Sequence, residues 1–166
     1  MMSAKEEKLV QGESKKGIKD RIADDMKRAL LSKDKVKLTV TRLLRSEIKY
    51  KEIEKGADLS NEDVIAVLSS SVKRHKDSIE QFGKGGREDL VAQEKAELEL
   101  IREYMPKQLE EGELSQVVDE AIREVNASAV SDLGRVMKVL MPKVMGRADG
   151  KKVNQLVSFR LQSLSE

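Results

Sequence analysis

Apolar residues recur along most of the chain at intervals of three and four, the spacing that gathers side chains on one face of an α-helix. Ile18, Ile22, Met26, Ala29 and Leu30 form the first stripe. It predicts a helix that stops near Ser32-Lys33-Asp34, where Asp34 can cap the next one. Val36, Val40, Leu43, Leu44 and Ile48 predict a second helix, ended by Gly56. Within it Leu38-Thr39-Val40-Thr41 alternates like a short strand, but the helical period continues through it for several turns. Ser60-Asn61-Glu62-Asp63 opens a third helix, with Ser60 in the N-cap position and two acids suited to the positive end of the dipole. Its stripe is Val64, Ile65, Leu68, Val72, Ile79 and Phe82, and Gly83, Gly85 and Gly86 terminate it. A fourth helix begins near Arg87; it buries Leu90, Val91, Leu98 and Ile101, with Glu94, Glu97 and Glu103 expected on its exposed side.

Pro106, in Tyr104-Met105-Pro106-Lys107, removes a backbone donor and disfavours a helical Met105. A domain boundary is therefore expected between Met105 and Gly112. Three shorter helices follow. Leu114, Val117, Val118, Ala121, Ile122 and Val125 mark the first; Leu133, Val136, Met137, Leu140 and Met141 mark the second, closed by Pro142; Val153, Leu156, Val157 and Leu161 mark the third, with Asp149 as its N-cap. The fold class is all-α. Residues 1–17 lack periodicity and read as a flexible tail. Residues 18–105 form an N-terminal helical domain of about four helices, 106–112 a linker, and 113–166 a C-terminal three-helix domain.

The chain has 166 residues, enough for a real core, and 37% of them are charged, so its surface is densely ionic. It has no cysteine, which excludes disulfides, thiolate metal sites and a cysteine nucleophile. Its one histidine, His75, lies between Arg74 and Lys76 on a helix expected to face water, and reads as an ordinary surface or half-buried residue. Four scattered aromatics, Tyr50, Phe82, Tyr104 and Phe159, do not make a base-stacking platform. No apolar run approaches the roughly 20 residues of a membrane span. The polar start, with Glu6, Glu7 and Glu13, lacks an apolar signal core and is not acid-poor like a transit peptide, so the expected location is the cytoplasm.

A net charge of +2 hides segregation along the chain. Residues 1–86 hold 20 Lys and Arg against 15 Asp and Glu, residues 87–124 hold 5 against 12, and residues 125–166 hold 7 against 3. Basic ends flank an acidic middle. Either these are solvated helix faces, or a basic region meets a polyanion. Two basic clusters stand out. Arg147, Lys151 and Lys152 gather at a helix start, where cations oppose the dipole, and Arg135, Lys138 and Lys143 are near in sequence. An anionic ligand or Asp149 would offset them. On the second helix Arg42, Arg45 and Lys49 share one face away from the apolar stripe. No nucleophile elbow, metal-ligand motif or nucleotide loop appears, so no catalytic residue, metal or cofactor is expected.

Ordered matches to one family pattern run through the chain. They are Asp24-Asp25-Met26-Lys27 with Ala29, Arg42-Leu43-Leu44-Arg45, Val72-Lys73-Arg74-His75-Lys76-Asp77-Ser78 and Gly86-Arg87-Glu88-Asp89-Leu90. The strongest are Tyr104-Met105-Pro106-Lys107-Gln108-Leu109 and Asp132-Leu133-Gly134-Arg135-Val136-Met137; the last is Gly146-Arg147-Ala148-Asp149-Gly150-Lys151 running into Val153-Asn154. In these stretches, across residues 18–164, the chain resembles the GatB/YqeY family. The resemblance implies an all-helical fold with an N-terminal helical part and a three-helix C-terminal part.

It also implies a function near tRNA. The similar C-terminal region of the GatB subunit of aspartyl/glutamyl-tRNA amidotransferase looks like a tRNA-body-binding appendage, and similar modules are attached to glutaminyl-tRNA synthetase. The expectation is a non-catalytic tRNA-binding accessory module linked to tRNA-dependent amidotransferase or aminoacyl-tRNA metabolism. The expected partners are tRNA and, beside it, amidotransferase subunits or an aminoacyl-tRNA synthetase. The resemblance points to glutamine-dependent carbon–nitrogen ligase activity as the company such a domain keeps; GatB's kinase-like catalytic portion is not in this chain. Two alternatives stand beside this reading: a component of such a ligase, or a helical protein-interaction adaptor using the acidic fourth and fifth helices. The expected RNA contacts are Arg135, Lys143, Arg147, Lys151 and Lys152, with Arg42, Arg45 and Lys49 next.

Overall fold

The computed structural model describes residues 16–165, and among them seven α-helices and no strand. The fold is all-α. In chain order the helices are α1 (Ile18–Ser32), α2 (Lys35–Lys55), α3 (Asn61–Lys84), α4 (Glu88–Arg102), α5 (Glu111–Glu124), α6 (Leu133–Val144) and α7 (Gly150–Ser165), with a 3₁₀ turn at Val130–Asp132 before α6. Most of the expected tail, residues 1–15, lies outside the described residues. Its last two residues are held: Lys16 Nζ lies 2.8 Å from Asp24, and the Gly17 carbonyl accepts from Arg21 N.

The helix ends follow local chemistry. Lys33 takes a left-handed backbone after α1, and Asp34 N closes back onto Ala29 O at 3.0 Å. Asp34 then turns its carboxylate to Lys37 N and starts α2. Gly56 ends α2 at φ +71°, a conformation that a side chain disfavours. Ser60 and Asp63 exchange side-chain and backbone hydrogen bonds as a capping box for α3. Asn61 also reaches across to α1, where its Oδ1 accepts from Ile18 N. This replaces the cap that Gly17 has no side chain to provide.

The chain divides into two compact units between Tyr104 and Met105. In the first, α1 pairs with α2 and α3 pairs with α4. Ile22 and Ala29, Val40, Leu44 and Ile48, Val64 and Leu68, and Val91, Leu98 and Ile101 are buried there, one group from each helix. In the second, α5, α6 and α7 each bury an i, i+3/4 row: Val118, Ala121 and Ile122; Val136, Leu140 and Val144; Val153, Val157 and Leu161. Each fully buried Leu or Val adds about 1.5–3 kcal/mol of transfer free energy.

Leu30, at the end of the first stripe, is exposed (56%), and four further details depart from the expected pattern. Val36 and Leu43 belong to the apolar period of α2 yet are exposed (45% and 40%), because the buried line runs through Val40, Thr41, Leu44, Ile48 and Glu52. Pro142 does not close α6, which continues to Val144. The proline forfeits one backbone hydrogen bond, but Val144 is fully buried in the second core and holds the last turn in place. His75 is not on a wet face. It is 7% exposed, because the buried line of α3 is Val64, Leu68, Ser71 and His75, and α4 covers it. Glu97, expected outside, is buried for the same reason, and Glu94 is partly buried.

Tyr104 ends the first unit. It is 2% exposed and donates from its hydroxyl to Asp25 Oδ2 at 2.5 Å. Arg28 also binds Asp25, and Lys37 Nζ lies 3.6 Å away. Arg21 lies over the Tyr104 ring and donates to the Glu103 carbonyl. Burial pushes the Asp25 carboxyl up, but the Tyr104 hydroxyl, Lys37 and Arg28 outweigh it and hold it below the usual aspartate range. A depressed native value gives stability that is present above the unfolded-state value, about 3.9, and lost as pH falls through the native one. Asp25→Asn should therefore be less stable than wild type at pH 7, with a gap that narrows as pH drops toward about 3. Urea melts of both proteins at the two pH values check this; a constant gap would contradict it.

The residues after Tyr104 belong to the second unit. Leu109 N donates to Arg147 O at 2.8 Å, Gln108 Nε2 to Gly146 O at 2.7 Å, and Arg147 Nε to Lys107 O at 3.2 Å. Residues 107–109 are thus tied to the turn between α6 and α7, and Glu111 already lies in α5.

Candidate nucleic-acid interface

The flank of α2 beside its core line, toward α1, carries Arg42, Arg45 and Lys49, all exposed. The helix is held in this orientation by Leu44 and Ile48 in the core and by buried Thr41, whose hydroxyl is satisfied within the helix by Lys37 O. Beside it, α1 is fixed by Ile22 and Ala29, which leaves Lys19 and Met26 toward α2. The two helices enclose an open groove of about 430 Å³, lined by Lys19, Met26, Arg42, Arg45, Ser46, Ile48, Lys49 and Glu52. All three residues expected on α2 line it. Arg45 reaches over to Met26, with Nη1 3.3 Å from the sulfur, so an apolar thioether supports one guanidinium.

Four cations and one carboxylate therefore line the groove, and Lys19 Nζ also lies 3.4 Å from the exposed Asp58. Glu52 is 7% exposed; it accepts from Lys19 Nζ and from Leu59 N, and Lys49 Nζ lies 3.7 Å away. The Lys19 hydrogen bond, against the opposing effect of burial, holds the Glu52 carboxyl below its ordinary range and raises the Lys19 ammonium. Glu52 is committed to Lys19, Lys49 and a backbone N–H. Arg42 and Arg45 form no ion pair among the described residues. A guanidinium offers a planar fork of donors that matches two phosphate oxygens, which an ammonium does not.

The C-terminal cluster is more dispersed in its partners. Arg135 pairs with Asp132 at 2.6 Å, and Lys143 pairs with Glu124 at 2.5 Å. Arg147 is half-buried and spends its Nε on the Lys107 carbonyl. Lys151 and Lys152 are exposed at the start of α7. Asp149 caps that helix, its Oδ1 accepting from Lys151 N and Lys152 N at 2.9 and 3.4 Å. The five residues thus divide into two ion-paired cations, one structural guanidinium and two exposed ammonium groups beside a carboxylate. Surface ion pairs of this kind contribute little to stability, about 0–1 kcal/mol, and open readily to a better anion.

Sequence reasoning missed Lys19 and Met26 as walls of the groove. Their spacing of seven puts them on one side of α1, but only the pairing of α1 with α2 shows which neighbour that side meets. It also missed the setting of His75. The signal was present in Val64, Leu68, Ser71 and His75, whose steps of four, three and four follow a core line.

The family model described as Yqey-like protein matches residues 19–161. Among curated proteins, the chain is similar to the Altered inheritance of mitochondria protein 41, mitochondrial, of Saccharomyces cerevisiae, at 32% identity over 130 residues, 78% of this chain and 69% of that protein. The protein of that name from Lachancea thermotolerans is 37% identical over 131 residues, 78% of this chain and 65% of the other. The one from Eremothecium gossypii is 39% identical over 85 residues, 51% of this chain and 46% of the other. Among the described residues, no helix is long and apolar enough to cross a membrane.

Proposed function

The chain belongs to the YqeY-like family, and on that premise we propose that it is a non-catalytic tRNA-binding accessory module linked to tRNA-dependent amidotransferase or aminoacyl-tRNA metabolism. One observation carries the reading: Arg42, Arg45, Lys49 and Lys19 converge on a single open groove whose one carboxylate, Glu52, is buried and already engaged. Such a groove suits a phosphate backbone. Contacts to phosphate fix position and carry little sequence information, as an accessory module that handles several tRNAs requires. Lys151 and Lys152 supply a second, weaker contact on the C-terminal unit, and Arg135, Lys143 and Arg147 contribute there only by exchanging their present partners. The proposed companions are an amidotransferase or an aminoacyl-tRNA synthetase. The proposed location is a compartment that holds tRNA: the cytoplasm or, as the names of the similar yeast proteins suggest, mitochondria.

Filter binding of several purified tRNAs by the intact chain tests the proposal. Retention should be similar across tRNAs and should fall steeply as salt rises from about 50 to 200 mM, because phosphate neutralisation releases counterions. Absence of retention at the lowest salt, or retention indifferent to salt, would overturn it.

A further inference from the structure

The buried histidine leads to a second site, independent of RNA. His75 on α3 directs Nδ1 at Glu94 Oε2 on α4, 2.6 Å away, and Glu97 Oε2 lies 4.0 Å from the same nitrogen. One donor atom from each of the three residues lies within 4.8 Å of the other two. Glu94 and Glu97 are three residues apart on one helix, so both carboxylates project to the same strip. Gln93 Nε2 donates to Glu97 Oε1 at 3.0 Å, which fixes that carboxylate and leaves Oε2 toward the imidazole. We propose that His75, Glu94 and Glu97 form a binding site for a first-row divalent cation of the zinc class.

The geometry and the donor chemistry agree. Zinc bonds of about 2.0–2.2 Å to nitrogen and carboxylate oxygen place tetrahedral donors roughly 3.3–3.6 Å apart. The observed separations of 2.6 and 4.0 Å bracket that range, and small rotations of two glutamate side chains close the difference. An imidazole nitrogen selects zinc, nickel, copper or iron over magnesium and calcium, which prefer oxygen alone. The Gln93 contact is of the kind that orients a ligating carboxylate from outside the coordination sphere. Three protein donors leave a fourth position for water. Ser71, one helical turn before His75 on the same buried line, keeps a hydroxyl with no hydrogen-bond partner among the described residues, a polar group that a bound water on this strip would satisfy. The alternative for the same three side chains is an imidazolium shared between two carboxylates.

His75 is the one histidine in a chain without cysteine, so its ring reports the site directly. The test is titration of the tag-free, chelator-stripped chain with zinc, followed by calorimetry and by NMR of the imidazole. Saturable binding of one zinc per chain is expected, with the His75 ring resonances moving in proportion to it, and no such movement with magnesium at the same concentration. His75→Gln and Glu97→Gln, the second of which spares the histidine, should each weaken binding at least tenfold. Absence of saturable binding would overturn the site. So would binding as tight as wild type by both variants, which would place the zinc on other carboxylates. Ring resonances that stay still while zinc binds would assign His75 to the ion pair with Glu94 instead.

Discussion

Tyr104→Ala is expected to destabilise the N-terminal unit by about 3–5 kcal/mol, the cost of deleting a large buried ring. The ring is almost wholly covered, and it is joined to α1 twice, through its hydroxyl to Asp25 and through its face to Arg21. Removing it leaves Asp25 buried with one donor fewer and takes away the platform under Arg21. Tyr104→Phe isolates one part of this. It keeps the ring and removes the donor to a carboxylate, so its cost should be about 1.5–3 kcal/mol. Urea unfolding of the three proteins, followed by circular dichroism, gives the order wild type, Phe, Ala. An alanine variant no less stable than the phenylalanine variant would show that ring burial contributes nothing. One of the two strongest stretches of the family resemblance, Tyr104-Met105-Pro106-Lys107-Gln108-Leu109, thus begins on the residue that completes one unit and ends on backbone groups of Lys107 and Leu109 that hold Arg147. Its role in the fold is structural at both ends.

The helices were legible because their signals are local. Asp34, Ser60 and Asp149 cap the helices that their positions implied, and Gly56 ends the one before it. The places where the reading fell short depend on partners distant in sequence. Leu43 has the right period but stays 40% exposed, whereas Glu97 has the wrong polarity and is buried beside Gln93 and His75. Pro142 breaks a local rule that burial of Val144 overrides. At the candidate site, the face shared by Arg42, Arg45 and Lys49 could be read from spacing alone. That they border a groove with Lys19 could not, since nothing in the spacing says which helix lies alongside. The C-terminal cations showed the converse: Arg135 and Lys143 look available in sequence, yet Asp132 and Glu124 already hold them.

Charge reversal at the groove, Arg42→Glu with Arg45→Glu, is expected to weaken tRNA binding about 100-fold or more at physiological salt, which is about 2.7 kcal/mol. Two attractive contacts become two repulsive ones at the centre of the basic surface, next to a carboxylate that Lys19 and Lys49 already neutralise. The fold should persist, because both side chains are exposed and Arg45 loses only its approach to Met26. An unchanged circular dichroism spectrum and melting temperature check that the loss belongs to binding. A folded variant with wild-type affinity would remove the groove from the interface.

The most direct test of the central assignment is the salt dependence of binding to one tRNA. Log K against log salt would be compared for wild type, for Arg42→Ala/Arg45→Ala/Lys49→Ala and for Lys151→Ala/Lys152→Ala. Each phosphate contact accounts for a slope of about −0.7 to −0.9. The groove variant should flatten the wild-type slope by roughly two to three units, and the α7 variant by less than two, alike for different tRNAs. A folded groove variant that keeps both the wild-type affinity and the wild-type slope would contradict it.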